Sequence, residues 1–285
     1  LMGLPVGQTL DLEGIATEPA APAAGELTVY AKNIGGRMML KQVGPSGIDT
    51  PFQQHIGFNG QVIVKPNTTT SVTTVGGPHA ATGTISTPTI SGGSIINATR
   101  RFQVASAATA GSASESRISQ AHVLRGDVAS AGGWFGVWRF IQTAVPAGCM
   151  CFVGLSASTS ALAAVTTPSA ITNMVGLGYD SGDTNLQIMH NDGTGTATKV
   201  DLGASFPVRT TSHFLELVLF CAPNASQITY RVTRLEAPAN TVSGTITTDL
   251  PVTTTPLCSR YYMTNNATAS AATFQTPGHY VDSDF

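Results

Sequence analysis

From Arg100 onward the chain falls into regular strand-like runs of apolar and polar residues, separated by turn residues. Twelve runs are predicted as strands: residues 101–107, 116–125, 133–142, 150–156, 175–180, 186–190, 197–202, 213–221, 228–235, 242–247, 257–263 and 272–282. Asn191-Asp192-Gly193-Thr194-Gly195 reads as a hairpin turn, because Asn, Asp and Gly accept positive φ. Asn224-Ala225-Ser226-Gln227 is a second turn, and Thr167-Pro168-Ser169-Ala170-Ile171 suits one short helical turn. Spacing of this kind fits a two-sheet antiparallel sandwich or jelly roll, with any helix peripheral.

The first hundred residues are organised differently. An Ala/Pro run from Thr17 to Gly25 reads as an extended tether. Leu27-Thr28-Val29-Tyr30-Ala31-Lys32 is a strand, Asn33-Ile34-Gly35-Gly36 a turn, and Arg37 to Val43 the returning strand. Gly44-Pro45-Ser46-Gly47 and Asp49-Thr50-Pro51 close that unit with turn chemistry. Residues 66–99 are rich in Thr, Ser and Gly, and include Gly83-Thr84-Ile85-Ser86 and the related Pro88-Thr89-Ile90-Ser91. Isolated Ile residues among small polar ones suit either a flexible linker or β-structure shared between chains. The expected organisation is therefore all-β. A docking segment with a hairpin spans 1–65, a β-rich thread 66–99 and a sandwich 100–285.

Composition narrows the function classes. Only 11% of the 285 residues are charged, against roughly 25% in an average soluble domain, so long surface helices with ion-paired faces are excluded. A formal charge of −2 argues against nucleic acid as the main partner, which needs clustered Lys and Arg. The uncharged stretches from Pro66 to Thr99 and from Phe140 to Tyr179 are interrupted by Gly, Pro and Ser. No membrane insertion is therefore expected. No secretory leader opens the chain, and Leu1 in place of an initiator Met is expected of numbering that begins inside a longer or processed polypeptide. Cys149, Cys151, Cys221 and Cys258 lack zinc-site spacing and read as buried free thiols.

Two regions carry a resemblance. Residues 27–32, Gly36-Arg37-Met38-Met39-Leu40-Lys41 and Gly44 to Pro51 resemble the virion-proximal part of bacteriophage tail-fibre proteins. Phe152-Val153-Gly154-Leu155, the run from Gly178 to Gly193, Asp201-Leu202-Gly203 and Tyr280 to Phe285 resemble the concanavalin A-like, lectin-type jelly roll of such proteins. Together these cover about two thirds of the chain. The resemblance implies a homotrimeric virion fibre that is assembled in the host bacterial cytoplasm. It implies docking to other virion proteins through the N-terminal segment, and a contribution to host attachment.

A lectin-type sandwich also serves glycanases, so the carboxylates matter. Glycoside hydrolysis uses two carboxyl groups roughly 5–9.5 Å apart, and no Glu-x-Asp-x-Glu line occurs; Glu216 stands alone on its strand. No catalytic residue and no cofactor is assigned. Asp180 and Asp183 are expected to brace a turn, with a calcium ion as the alternative use of those oxygens and of Asp192. His190 reads as a solvated hairpin residue, and Trp134 and Trp138 as core. Consecutive Tyr261 and Tyr262 place one ring on each face of a strand. With Asn265, Asn191 and Asp192 they are the glycan-contact candidates, in loops expected to meet at one end of the sandwich. Tyr280 is a further aromatic candidate. The expected function is a non-enzymatic phage structural protein. A head-attached fibre or capsid decoration protein, and a polysaccharide depolymerase, are the alternatives.

Overall fold

Gly35 and Gly36 reverse the chain between β1 (Thr28–Ile34) and β2 (Arg37–Val43), which pair antiparallel from Ile34 opposite Arg37 to Thr28 opposite Val43. Their φ angles of 61° and 98° are what a two-residue loop needs to match the strand twist, and Asn33 Oδ1 accepts the Gly36 N–H at 2.8 Å. The computed structural model describes residues 11–23, 25–43, 49–51, 61–67, 71–128 and 131–283. It divides the chain into Leu1–Gly57 and Phe58–Phe285. In the first unit β3 (Asp49–Pro51), expected as a turn, is a strand beside β2. The tether is fastened to the hairpin rather than free. Gly14 bridges Ala31 in parallel, and Glu18 Oε1 meets Lys32 Nζ at 2.6 Å and Lys41 Nζ at 3.1 Å. The turn expected at Gly44 to Gly47 lies outside the described residues.

The second unit is the antiparallel jelly-roll sandwich. Its strands are β4 (Gln61–Pro66), β5 (Val72–Val75), β6 (His79–Thr82), β7 (Thr84–Ser86), β8 (Phe102–Ala105), β9 (Ala113–Ile118), β10 (Trp134–Ala144), β11 (Met150–Ser156), β12 (Met174–Tyr179), β13 (Gln187–Asn191), β14 (Thr198–Asp201), β15 (Leu215–Cys221), β16 (Ile228–Arg234), β17 (Thr241–Ile246), β18 (Cys258–Thr264) and β19 (Thr273–Ser283). One sheet runs β17-β16-β15-β10-β19-β4-β5, with β8 on β19 and β7 on β8; the other runs β14-β13-β12-β11-β18-β9-β6. The only helical pieces among the described residues are α1 (Ile95–Ala98) and a single turn at Pro168–Ala170.

The expected boundaries at 65/66 and 99/100 are corrected by strand pairing. β4 lies on β19, β5 on β4, β6 on β9 and β7 on β8, so residues 61–86 complete both sheets instead of forming a docking segment and a thread. The reason is the long β19, whose edge needs partners along its whole length. β8 covers Thr273 to Thr276 and β4 covers His279 to Asp282. The handover occurs at Gly278 (φ 110°), where a Cβ would stand 1.7 Å from the Val64 carbonyl oxygen, so only glycine fits. Val62 and Val64 on β4 are buried in the core, each worth about 1.5–3 kcal/mol of burial. A smaller correction concerns 116–125. The strand ends at Ile118, because Ser119 and His122 donate their N–H groups to Pro78 and Leu257 outside any long ladder.

Between the sheets lies an apolar core that includes Trp134, Trp138, Phe140, Leu177, Leu217 and Tyr261. Trp138 satisfies its indole N–H on Ser259 Oγ at 2.7 Å. Alternation along β11 and β18 sends Phe152 and Tyr262 the other way, to the outer face of the seven-stranded sheet. There they are buried with Met174, Met189 and Ile171, and Leu162 packs against them. The cover is the uncharged connection between β11 and β12. The carbonyls of Ser158, Thr159, Ser160, Ala163, Ala164 and Thr166 in that segment accept hydrogen bonds from Arg260, Arg117, Tyr262 and Thr264.

Candidate functional site

Strand register decides which loops share an end. Cys151 lies opposite Tyr179 and Met263, so the turn after β12 and the turn after β18 sit at one end of the seven-stranded sheet. Met174 lies opposite Ser156 and Asn191, so the turn after β13 sits at the other end. The three loops expected to meet around a glycan therefore do not meet. Period-two reading finds faces; ends depend on the order of pairing.

Both tyrosines are structural. Tyr261 points into the core, stacked 5.6 Å from Phe274, with its hydroxyl 3.0 Å from the Gly278 carbonyl. Tyr262 points outward but under the β11–β12 connection, its hydroxyl 3.0 and 3.1 Å from the Ala163 and Thr166 carbonyls. Burial pushes the Tyr262 hydroxyl up to about 12. Asn265 is a buried staple, donating to the Thr109 and Ser270 carbonyls and accepting the Ser112 N–H. None of these three reaches solvent as a glycan contact would.

Asp180 and Asp183, for which a calcium ion was the alternative to bracing a turn, hold an ammonium group instead. Lys199 Nζ stands 2.6 Å from Asp180 Oδ2 and 2.8 Å from Asp183 Oδ2. Burial lowers the Lys199 pKa, but the two carboxylates outweigh it and hold the group above its ordinary value. Asp180 also accepts the Ser169 N–H, and Asp183 the Asp180 N–H. The turn-bracing role stands, and a cation there would have to displace Lys199. Other sandwich carboxylates are paired too. Glu216 meets Arg139 at 2.7 Å and Arg231 at 3.2 Å, and Glu115 meets Arg260 at 2.6 Å and Arg117 at 3.1 Å. All four thiols are buried and none forms a disulfide. Burial pushes the Cys149 thiol up to about 11, which removes the thiolate that reactivity needs.

The loop at the end beyond β13 is open to solvent. Asn191 is buried and shapes its turn, donating to the Thr194 carbonyl at 2.9 Å and accepting the Gly193 N–H at 2.7 Å. Asp192, Thr194, Gly195 and Thr196 project outward and are exposed. Asp192 Oδ1 accepts from the Thr194 N–H (3.0 Å) and hydroxyl (2.9 Å). Two residues missed by the sequence reading hold this turn. Asp249, at φ 50°, accepts the N–H groups of Asp192 and Thr198 on its two oxygens. Asn173, at φ 46°, accepts the Val252 N–H. His190 is buried beneath them, with Nδ1 3.1 Å from the Asp249 carbonyl, not solvated as expected. The Asp249-Leu250-Pro251 run is a turn signal that sequence reasoning had available. No ion pair ties up Asp192 among the described residues. A carboxylate beside a hydroxyl, on a turn braced from below, is an acceptor set for the hydroxyls of a sugar.

No protein-family model matches the sequence, and no curated protein matches it. Solved structures do. A protein of unknown function from Shewanella oneidensis MR-1 aligns over 81% of this chain and 90% of its own, at 12% identity and a TM-score of 0.49. Arcelin-5, a lectin-like defence protein from Phaseolus vulgaris, aligns over 73% and 98%, at 9% identity and a TM-score of 0.46. A carbohydrate esterase from the Shiga toxin-encoding bacteriophage phi24B aligns over 73% and 90%, at 13% identity and a TM-score of 0.42.

Proposed function

We propose that this chain is a non-enzymatic structural protein of a bacteriophage virion. It is a trimeric tail-fibre component whose sandwich contributes to host attachment by holding a surface glycan at the turn of Asp192 and Thr194. The observation that carries the reading is the commitment of carboxylates. Glu115, Glu216, Asp180 and Asp183 each sit against Arg or Lys, which supports bracing roles for them over general acid or base catalysis. The exposed Asp192 faces solvent with hydroxyl neighbours instead. The division at Gly57 and Phe58 supports a separate docking role for the hairpin unit, where the resemblance to the virion-proximal part of tail fibres lies. Reconstruction of an intact particle with a labelled chain tests the placement. Tail density in threefold copies is expected. Capsid density would make it a head fibre, and absence from particles would contradict the virion reading.

A further inference from the structure

A cleft of about 380 Å³ opens where strands of both sheets end, within the roughly 300–1,000 Å³ of small-molecule sites. Gly133, just before β10, and Ser283, at the end of β19, line it from one sheet; His122, after β9, and Pro256, before β18, line it from the other. Its glycine wall is bare backbone by necessity. Gly132 and Gly133 sit at φ 80° and 82°, where a Cβ would stand 2.6 Å from Gly126 Cα and 2.6 Å from the Pro223 nitrogen respectively. Around the cleft, ring nitrogens go without partners. His122 Nε2, Trp134 Nε1 and both nitrogens of His279 are buried and have no hydrogen-bond partner among the described residues. Trp134 follows Gly133 and lies opposite Ser283, and His279 is close enough to His122 to feel its charge. His122 Nδ1 stands 3.2 Å from the Gln120 carbonyl oxygen, which can only accept, so Nδ1 carries the proton and Nε2 is a bare acceptor. Burial lowers His122 to about 4, so the ring is uncharged at neutral pH.

We infer that this cleft is a second carbohydrate subsite, taking one neutral sugar ring of the same host glycan that the Asp192 turn holds; the inference rests on the attachment reading above. Charge selects the ligand class. No Lys, Arg, Asp or Glu lines the cleft, so an ionic ligand would lose its water there without gaining a counter-charge. Buried polar groups are ordinarily partnered. A donor at Trp134 and an acceptor at His122, both unsatisfied, suit hydroxyls, each of which donates and accepts at once. His122 as a whole is half-buried, and a turn of its ring brings Nε2 to a hydroxyl in the cleft. Val123, Leu124 and Pro256 supply an apolar wall for the C–H face of the ring. Position ties the cleft to the turn. Asn191 lies opposite Met174, Met174 opposite Ser156 and Ser156 opposite Cys258. The Asp192 turn and the cleft are therefore at the same end of the sandwich, about three strand spacings or ~14 Å apart. One loop serves both: Asp249 braces the Asp192 turn, and Pro256, seven residues on, lines the cleft. A glycan longer than one ring reaches from one to the other.

The test uses the full chain, whose two tryptophans, Trp134 and Trp138, report on this region through their emission. Titration at neutral pH with glucose, galactose, mannose and rhamnose in the millimolar range is expected to give a saturable change with at least one of them. Charged analogues, glucuronate and glucosamine, are expected to bind about tenfold more weakly. Ala121→Phe fills the cleft from its half-exposed rim and is expected to abolish the change. His122→Phe removes the acceptor and is expected to weaken binding about tenfold. Both variants are expected to keep a cooperative melt, and Ala121→Phe, like Asp192→Ala, to reduce retention on immobilised host polysaccharide. No saturable change, or one that persists in Ala121→Phe, would overturn the cleft. Retention that depends on Asp192 alone would do the same while leaving the attachment reading intact. Monosaccharide binding with no retention of the polymer would overturn the attachment reading and, with it, the subsite.

Discussion

Glu115 and Arg260 face each other across β9 and β18 at 2.6 Å, with side chains 1% and 0% exposed. Arg260 also donates to the Ser158 and Ser160 carbonyls of the overlying connection. Burial pushes the Glu115 carboxyl above its ordinary value, against the downward pull of Arg260 and Arg117. Removing one member of a buried pair leaves the other charge uncompensated and costs about 3–5 kcal/mol. Arg260→Met is therefore expected to lower the melting temperature by many degrees, and Glu115→Gln combined with Arg260→Met by clearly less. Equal losses in the two variants would mean that the pair is not coupled.

The attachment site and the tyrosines should separate cleanly. Asp192→Ala with Thr194→Ala touches only exposed groups, and is expected to weaken adsorption to host cells while changing the unfolding free energy by no more than about 1 kcal/mol. Tyr262→Phe removes a hydroxyl that holds the connection at Ala163 and Thr166. It is expected to cost roughly 1 kcal/mol and leave adsorption unchanged. The reverse pattern would move the site back to the tyrosines.

Truncation tests the strand assignment. Residues 58–285 are expected to melt cooperatively on their own, because that fragment keeps β4 on β19 and β6 on β9. Residues 100–285 strip those edges and expose the core around Val62 and Val64, and are expected to aggregate. A soluble, cooperative 100–285 fragment would show that β4 to β7 add little.

Most of the sandwich was legible in the sequence because a strand buried on one or both faces writes its apolar pattern locally. Met150–Ser156 coincides with its predicted run, and the other eleven runs each overlap an observed strand, displaced most at 116–125. The pairing of β4 to β7 was not legible. In β5 to β7 the apolar residues, such as Ile85 among Thr84 and Ser86, are too sparse to show a period; β4 carries the apolar run Val62-Ile63-Val64 but, like the others, has its place fixed by the edge it covers. The site was legible only in part. The turn at Asp192 was legible because Asn-Asp-Gly marks one, but the burial of Tyr262 was not, because outward on a strand was equated with solvent. The uncharged 157–167 connection that covers it was visible in the composition, but nothing local to the sequence placed it over that sheet.

Three histidines make stability depend on pH. Burial, helped by the Arg117 charge, lowers His79 to about 4, burial lowers His122 to about 4, and burial holds His279 well below its ordinary value. His279 is packed 6.4 Å from the Trp138 ring and 5.5 Å from Tyr261, with neither ring nitrogen hydrogen-bonded. An unfolded imidazole takes up its proton near pH 6.5, whereas folded His79 and His122 do so only near pH 4 and folded His279 well below 6.5, so the unfolded state binds more protons below pH 6.5. Stability contributed by these groups is present above pH 6.5 and is lost as pH falls toward 4. Melting temperatures measured from pH 7.5 to 5.5 at fixed ionic strength are expected to fall steadily, with a shallower slope in His279→Gln. A flat profile would contradict the burial of neutral histidines.

The central claim is that the sandwich binds a surface glycan without cleaving it. The most direct measurement is to incubate the full chain with purified host surface polysaccharide, following retention on the immobilised polymer and, in the same sample, the appearance of new reducing ends. The account predicts retention that Asp192→Ala weakens, with no reducing ends above the protein-free control. Release of reducing ends in proportion to protein concentration, or no retention at all, would contradict it.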